Sequence, residues 1–307
     1  MSFSGFTLPT ELTDIIIDLL RDDTTCLRRC SLVCKAWIPP TRRHLFHEIS
    51  IGPNDDSGKH ERLLQLVLSS PDIVQFIRCL LLGGAENGED MVLRSRAWAR
   101  IRETQSLHRL LSMLSKVQSL SLTNHLPWNN YSLGFRHSIK SILRLPSFTH
   151  LELRHCYFAS SHCFTSLICN CSALNRLLLW NIEIGPHRNP FGTDSDECSE
   201  DEDAHVGQVD RRYRLNDLRM DWCSPSTIRD WLLGSQSPID TTSIRILRII
   251  MDSSDYGLYT TVNKLIKSTS HSLREVTLSI GVIVNQGDTG TNLLIMFHIA
   301  HCNHFIR

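Results

Sequence analysis

No Cys-x-x-Cys pair occurs anywhere in the 307 residues, and the eleven cysteines are scattered and odd in number. That excludes the common zinc knuckles and a paired disulfide framework, and it reads as reduced thiols in the cytoplasm or nucleus. Gly-x-Gly-x-x-Gly and Gly-x-x-x-x-Gly-Lys-Ser/Thr are both missing, so no glycine loop is offered to a nucleotide phosphate. There is no Gly-x-Ser-x-Gly elbow, no His-Glu-x-x-His and no kinase signature. No apolar run approaches the roughly eighteen residues of a membrane span, and no basic-then-apolar segment opens the chain. Lys+Arg and Asp+Glu both number 32, so the formal net charge is zero and no overall field favours nucleic acid or an anionic membrane.

What the chain does have is 41% apolar content, ample for a core, in a length that allows one to three domains. Its most ordered stretch runs from Leu8 to Ile51. Pro9 suits a first helical turn, and Glu11 and Asp14 sit where the positive end of a helix dipole favours carboxylates. Leu12, Ile15, Ile16, Leu19 and Leu20 share one helical face, which predicts a helix over about 9–20. Asp22, Asp23 or Thr24 can cap a second helix carrying Leu27, Cys30, Val33, Cys34 and Trp37, with Pro39-Pro40 expected to stop it. A short third helix is expected over about 41–47. Three such helices cannot bury their own apolar surface. Five aliphatic side chains on the first helix would be worth roughly 8–15 kcal/mol if buried, so this segment needs a partner.

Order and spacing over this segment resemble an F-box. The matching residues are Leu8-Pro9-x-Glu11-Leu12, Ile15-Ile16, Leu19, Leu27-Arg28, Ser31-x-Val33-Cys34-Lys35-Ala36-Trp37 and Leu45-Phe46. The form Cys-Ser-Leu-Val-Cys-Lys-x-Trp looks most like F-box proteins of mushroom-forming fungi. The resemblance implies docking on the small Skp adaptor, and through it on a cullin, by way of Leu8, Pro9, Leu12, Ile16, Leu19, Val33 and Trp37. It also implies small apolar core roles for Cys30 and Cys34, which outweigh a metal reading of Cys26, Cys30 and Cys34.

After a polar linker and a helical pattern at Leu63, Leu64, Val67 and Leu68 that Ser70-Pro71 ends, one phrase returns seven times: apolar, two variable, apolar, one variable, apolar. Its instances are Ile77/Leu80/Leu82, Val117/Leu120/Leu122, Phe148/Leu151/Leu153, Leu174/Leu177/Leu179, Leu215/Leu218/Met220, Ile244/Leu247/Ile249 and Leu273/Val276/Leu278. Successive starts lie 40, 31, 26, 41, 29 and 29 residues apart, and the two long gaps hold insertions. Helical patterns fall between them, as at Ile139/Ile142/Leu143, Phe164/Leu167/Ile168/Cys171 and Leu258/Val262/Leu265/Ile266. Strand and helix in alternation predict parallel strands and a curved solenoid. This part resembles the leucine-rich-repeat substrate domains that often follow an F-box, with the consensus Asn or Cys after the strand at Asn124, Cys156, Asn181 and Cys223. A doubly wound α/β domain is the rival arrangement.

The expected fold is therefore an α+β/α/β chain: a three-helix F-box over 1–51, a linker and connecting helix over 52–72, and a leucine-rich-repeat-like array over 73–307. Alternation along each strand aims one row at the open face: Ser121 and Thr123; Glu152 and Arg154; Leu178 and Trp180; Asp217, Arg219 and Asp221; Arg248 and Ile250; Glu275 and Thr277. Glu152, Arg154, Leu178, Trp180, Asp217, Arg219 and Arg248 are its candidate contacts for a protein substrate. Trp180 either belongs to that surface or packs under the next loop.

Residues 185–212 form an acidic insertion in which Asp194–Asp203 holds seven carboxylates in ten positions. It reads as a disordered loop, either a solvated insertion or a lure for a basic partner or a phosphorylation site at Ser195 or Ser199. His298, His301, Cys302 and His304 crowd the tail without a neighbouring ligand set. The ending, Val282 to Ala300, reads as a truncated or mispredicted terminus, or as a last helix covering the open end. The functional expectation is a non-catalytic substrate receptor of a Skp–cullin–F-box ubiquitin ligase, cytoplasmic or nuclear, without cofactor, metal, nucleic acid or membrane. The alternative is a scaffold whose adaptor complex recruits no cullin.

Overall fold

The structure, a computed structural model, describes residues 9–53, 58–83, 91–123, 128–185, 212–223, 231–234, 237–252, 256–285 and 292–302. Helices α1 (Thr10–Leu19), α2 (Thr24–Cys30) and α3 (Ile38–Leu45) open it. Of the three candidate caps, Asp23 takes the role, its side chain accepting from the Cys26 N–H at 2.9 Å. The second helix ends earlier than its spacing suggests, and a turn followed by a 3-10 segment, Lys35–Trp37, leads into α3. Pro39 and Pro40 do not stop a helix; they lie in the first turn of α3, where a missing N–H breaks no bond. Cys30 is half-buried and Cys34 exposed, so neither is the core residue expected.

Nine strands then form one sheet. They are β1 (Glu48–Ile51), β2 (Cys79–Leu82), β3 (Ser119–Thr123), β4 (His150–Arg154), β5 (Arg176–Trp180), β6 (Asp217–Asp221), β7 (Ile246–Asp252), β8 (Glu275–Asn285) and β9 (Asn292–Cys302). They lie side by side in that order, the first eight parallel and β9 antiparallel along β8. The seven returning phrases mark β2 to β8. A doubly wound sheet reverses its strand order at a switch point, and no reversal occurs among the described strands.

Between strands run α4 (Lys59–Ser69), α5 (Met91–Arg102), α6 (Gln105–Met113), α7 (Leu133–Leu143), α8 (Ser161–Cys169) and α9 (Tyr256–Thr269). The first long gap holds two helices, α5 and α6. Thr104, Ser132 and Ser160 cap α6, α7 and α8 through their hydroxyls. Strand order that always advances one way, with right-handed crossovers, puts connecting helices on a single face. Burial agrees: Leu80/Leu82, Leu120/Leu122, Leu151/Leu153, Leu177/Leu179, Leu218/Met220 and Leu247/Ile249 are buried, and their strand neighbours are mostly half-exposed.

At the edge where strands begin, one carbonyl accepts two successive N–H groups of the next strand. The Arg78 oxygen takes Gln118 and Ser119, the Gln118 oxygen Thr149 and His150, the Thr149 oxygen Asn175 and Arg176, and so on to the Arg245 oxygen with Arg274 and Glu275. Where strands end, His155, Asn181 and Trp222 adopt left-handed backbone with φ of 53°, 50° and 57°. Cys156 and Cys223 follow this turn and direct their buried thiols at the carbonyls of Leu122 and Leu179. Asn181 is thus a turn residue, and Ile182 occupies the place equivalent to the two cysteines, a correction to grouping Asn181 with them. Asn124 lies outside the described residues.

Two further expectations change. The sheet begins inside the span 1–51, because Glu48–Ile51 pairs with β2, and 52–72 contributes α4 to the same body. Among the described residues no last helix covers the end: Asn292–Cys302 is a strand paired along the whole of β8. The preceding strand is the β-branched one, with Val276, Thr277, Ile280, Val282, Ile283 and Val284, and its free edge offers Asn292–Cys302 a ladder to pair with. His298, His301 and Cys302 fall on that strand, whereas His304, Ser195, Ser199 and Asp194–Asp203 lie outside the described residues.

Phe148, fully buried at the approach to β4, tests this packing. Phe148→Ala is expected to cost about 3–5 kcal/mol in urea denaturation, and Thr277→Ala on the half-exposed side about 0.5 kcal/mol or less.

Candidate functional site

Helices α1 and α2 both pack on α3, burying Thr13, Ile17, Leu27 and Thr41. Asp18 ties the ends together: the Arg43 guanidinium donates to its Oδ1 at 2.6 Å, and the His44 ring nitrogen lies 2.7 Å from the same oxygen. The His44 contact first, and then Arg43, hold the Asp18 carboxyl below its ordinary value.

Because Thr13 and Ile17 face inward, the apolar stripe of α1 faces out. Leu12 is 48% exposed, Ile15 56%, Ile16 37% and Leu19 80%, while Leu32 and Val33 in the turn after α2 reach 86% and 64%. Single exposed apolar residues are ordinary on a protein surface; four on one face of a ten-residue helix are not. Covering these six side chains would contribute roughly 10 kcal/mol before the costs of association. Of the residues expected to meet an adaptor, Pro9, Leu12, Ile16, Leu19 and Val33 are exposed, Trp37 is half-buried, and Leu8 lies outside the described residues. Ile15 and Leu32 belong with them. Ile15 was legible in the spacing; Leu32 carries no signal until the turn places it.

The second candidate surface is the face of the sheet away from the helices. Register aligns it in three rows: Ser119–His150–Arg176–Asp217–Ile246–Glu275, then Ser121–Glu152–Leu178–Arg219–Arg248–Thr277, then Thr123–Arg154–Trp180–Asp221–Ile250–Ser279. All seven expected substrate contacts fall on this face. Trp180 belongs to the surface, half-exposed, with the Arg154 guanidinium 5.3 Å from its ring centre. Leu178 and Trp180 form an apolar centre within a ring of charge.

The charges of that ring hold one another. Arg154 contacts Glu152 at 2.6 Å, Arg176 and Arg219 reach Asp217 at 2.8 and 3.1 Å, and Arg248 reaches Glu275 at 2.8 Å. Asp217, expected to meet a substrate, is instead buried beneath its two arginines. Its role is to fix Arg176 and Arg219. Arg176 and His150 complete the face; they stand one alternation before Leu178 and Glu152, in the row that Asp217 and Glu275 share. Burial, and then Arg176, keep the His150 ring below its ordinary value. Burial pushes Asp221 up to about 6, against the pull of Arg219, Arg154 and Arg248.

No protein-family model matches the chain, and no curated protein matches it in sequence.

The orientation of α1 is tested by paired substitutions. Leu19→Glu is expected to leave the thermal midpoint within about a degree, and Ile17→Glu to melt the helical trio, both read by circular dichroism. A second test concerns pH. With its folded value above the unfolded one, Asp221 binds its proton more tightly in the folded state, so its contribution to stability falls as pH rises from about 4 to 6. Asp221→Asn is expected to raise the thermal midpoint at pH 7.5 and to leave it unchanged near pH 4; a lower midpoint at pH 7.5 would mean that the ionised carboxylate stabilises the face.

Proposed function

We propose that this chain is a non-catalytic substrate receptor of a Skp–cullin–F-box ubiquitin ligase. Its first three helices act as an F-box, and the sheet with its one-sided helices acts as a leucine-rich-repeat-like solenoid. The observation that carries the reading is the outward apolar face of α1. Leu12, Ile16 and Leu19, the residues through which an F-box would grip the Skp adaptor, are left uncovered although a helix of this composition would ordinarily bury them. The open sheet face supports the second half. Leu178 and Trp180 inside a ring of arginine–carboxylate pairs have the composition of a protein-binding hot spot, an aromatic and apolar anchor bounded by charge.

In this role the chain supplies position. A substrate held on the sheet face, and an adaptor held on the helices, bring a substrate lysine to a conjugating enzyme at high effective concentration, and the bond-making groups belong to other subunits. The test is co-purification of the full chain with a fungal Skp adaptor and a cullin, comparing wild type with Leu12→Ala/Leu19→Ala. Wild type is expected to retain both partners and the variant to lose about tenfold or more of the adaptor. Retention of the adaptor without cullin would make the chain a scaffold, and retention of neither would overturn the reading.

A further inference from the structure

Although the chain is neutral in sum, its cations are not evenly placed. On the open face every arginine holds a carboxylate. Along the edge where the strands begin lie Arg78, Arg144, Arg212, Arg214, Arg245 and Arg274, with Lys116; of the carboxylates at that edge, Asp217 and Glu275 are taken up by arginines of the open face, which leaves Glu48, Asp72 and Asp240. None of these seven cations makes an ion pair among the described residues. Arg78 donates to the Lys116 carbonyl and Arg144 to the Asn170 side chain, contacts that leave both charges uncompensated. Asp240 is occupied in capping the backbone of Thr242. All but Arg78 are exposed.

The shared carbonyls described above hold this edge in line, placing Arg78, Gln118, Thr149, Asn175, Asn216, Arg245 and Arg274 on neighbouring strands. At about 4.8 Å per strand the row extends roughly 29 Å from β2 to β8. At its middle lies a cleft of about 490 Å³ lined by Ser172, Asn175, Arg212, Tyr213 and Arg214 among others, with no carboxylate among the described residues of its wall. Among those residues it holds a single aromatic ring, that of Tyr213, whose hydroxyl donates to the Cys169 carbonyl at 2.7 Å, and Phe148 nearby in the row is buried. A single-stranded nucleic acid would want free rings on which to stack bases. An acidic peptide needs only cations and a groove one chain wide.

We propose that this edge is a docking surface for an acidic polypeptide segment, centred on the cleft between Asn175 and Arg212–Arg214. It is separate from both the α1 face and the open sheet face, and it stands whether or not an adaptor binds the helices. Hydrated, unpaired guanidinium groups in a row attract a polyanion at long range and are screened as salt rises, the Debye length being about 8 Å at 0.15 M.

The experiment is fluorescence anisotropy of a labelled decaglutamate peptide titrated with the full chain, at about 0.05 M and about 0.3 M salt. Saturable binding that weakens with salt is expected. Arg212→Ala/Arg214→Ala/Arg245→Ala should weaken it about tenfold or more, and the corresponding triple lysine variant should recover most of the loss. Arg176→Ala/Arg248→Ala on the open face should change it by less than about twofold. No saturable binding by wild type, equal binding by the alanine variant, or tighter binding of a single-stranded oligonucleotide of matched charge overturns the proposal.

Discussion

Each strand from β2 to β8 is positioned by a carbonyl that accepts two N–H groups at once. This shared acceptor sits at the same place in seven successive pairs, from the His47 oxygen with Arg78 and Cys79 to the Arg245 oxygen with Arg274 and Glu275. A backbone oxygen has two lone pairs, and a parallel ladder with a bend at its beginning is one of the few geometries that uses both on one neighbour. The consequence is a common register. Side chains alternate with a period of two, so a slip of one residue in any strand would turn its leucines into solvent and its arginines into the helices. Sorting the chain into a packed face, an open face and an exposed edge depends on this alignment.

Three surfaces result, and their chemistry differs in a way that suits different tasks. The outward face of α1 is apolar and uncharged, and apolar burial is the main source of affinity. The open sheet face presents charges that already hold one another, so a partner there would exchange ion pairs for little net gain and would depend on Leu178 and Trp180 for energy and on the surrounding pairs for orientation. The edge presents seven cations that make no ion pair among the described residues, and these act at a distance through potential. Beneath all three, a chain of aromatic rings from Trp98 through Phe135, Tyr131, Trp128, Phe158 and Phe164 to Trp231, each 4.5–6.2 Å from the next, joins neighbouring units into one core.

Much of this architecture is legible in the sequence. The phrase at Ile77, Val117, Phe148, Leu174, Leu215, Ile244 and Leu273 marks strands because a strand buried on one face needs apolar residues at i and i+2, and the extra residue three before them fills the corner under the helix. Helices α4, α7, α8 and α9 follow their apolar spacing for the same kind of reason. The failures have causes as definite. Pro39-Pro40 is compatible with stopping a helix and with starting one, and only the fold of the preceding turn selects. Asp217 looks like any strand carboxylate until two arginines from its own and the neighbouring strand close over it.

The sequence by itself determined the alternation of strand and helix, the apolar character of α1 and the overall charge of zero, because each is a sum or a period along the chain. Only the tertiary structure decided which side of α1 faces outward, since Thr13 and Ile17 supply a second, smaller stripe that α3 takes up. It also decided where the charge lies. Residues from Arg78 to Arg274, almost two hundred positions apart in sequence, become neighbours along one edge only when parallel strands stack in order, and a neutral composition then carries a cationic row. A sum over residues has no position; a sheet assigns one to every side chain.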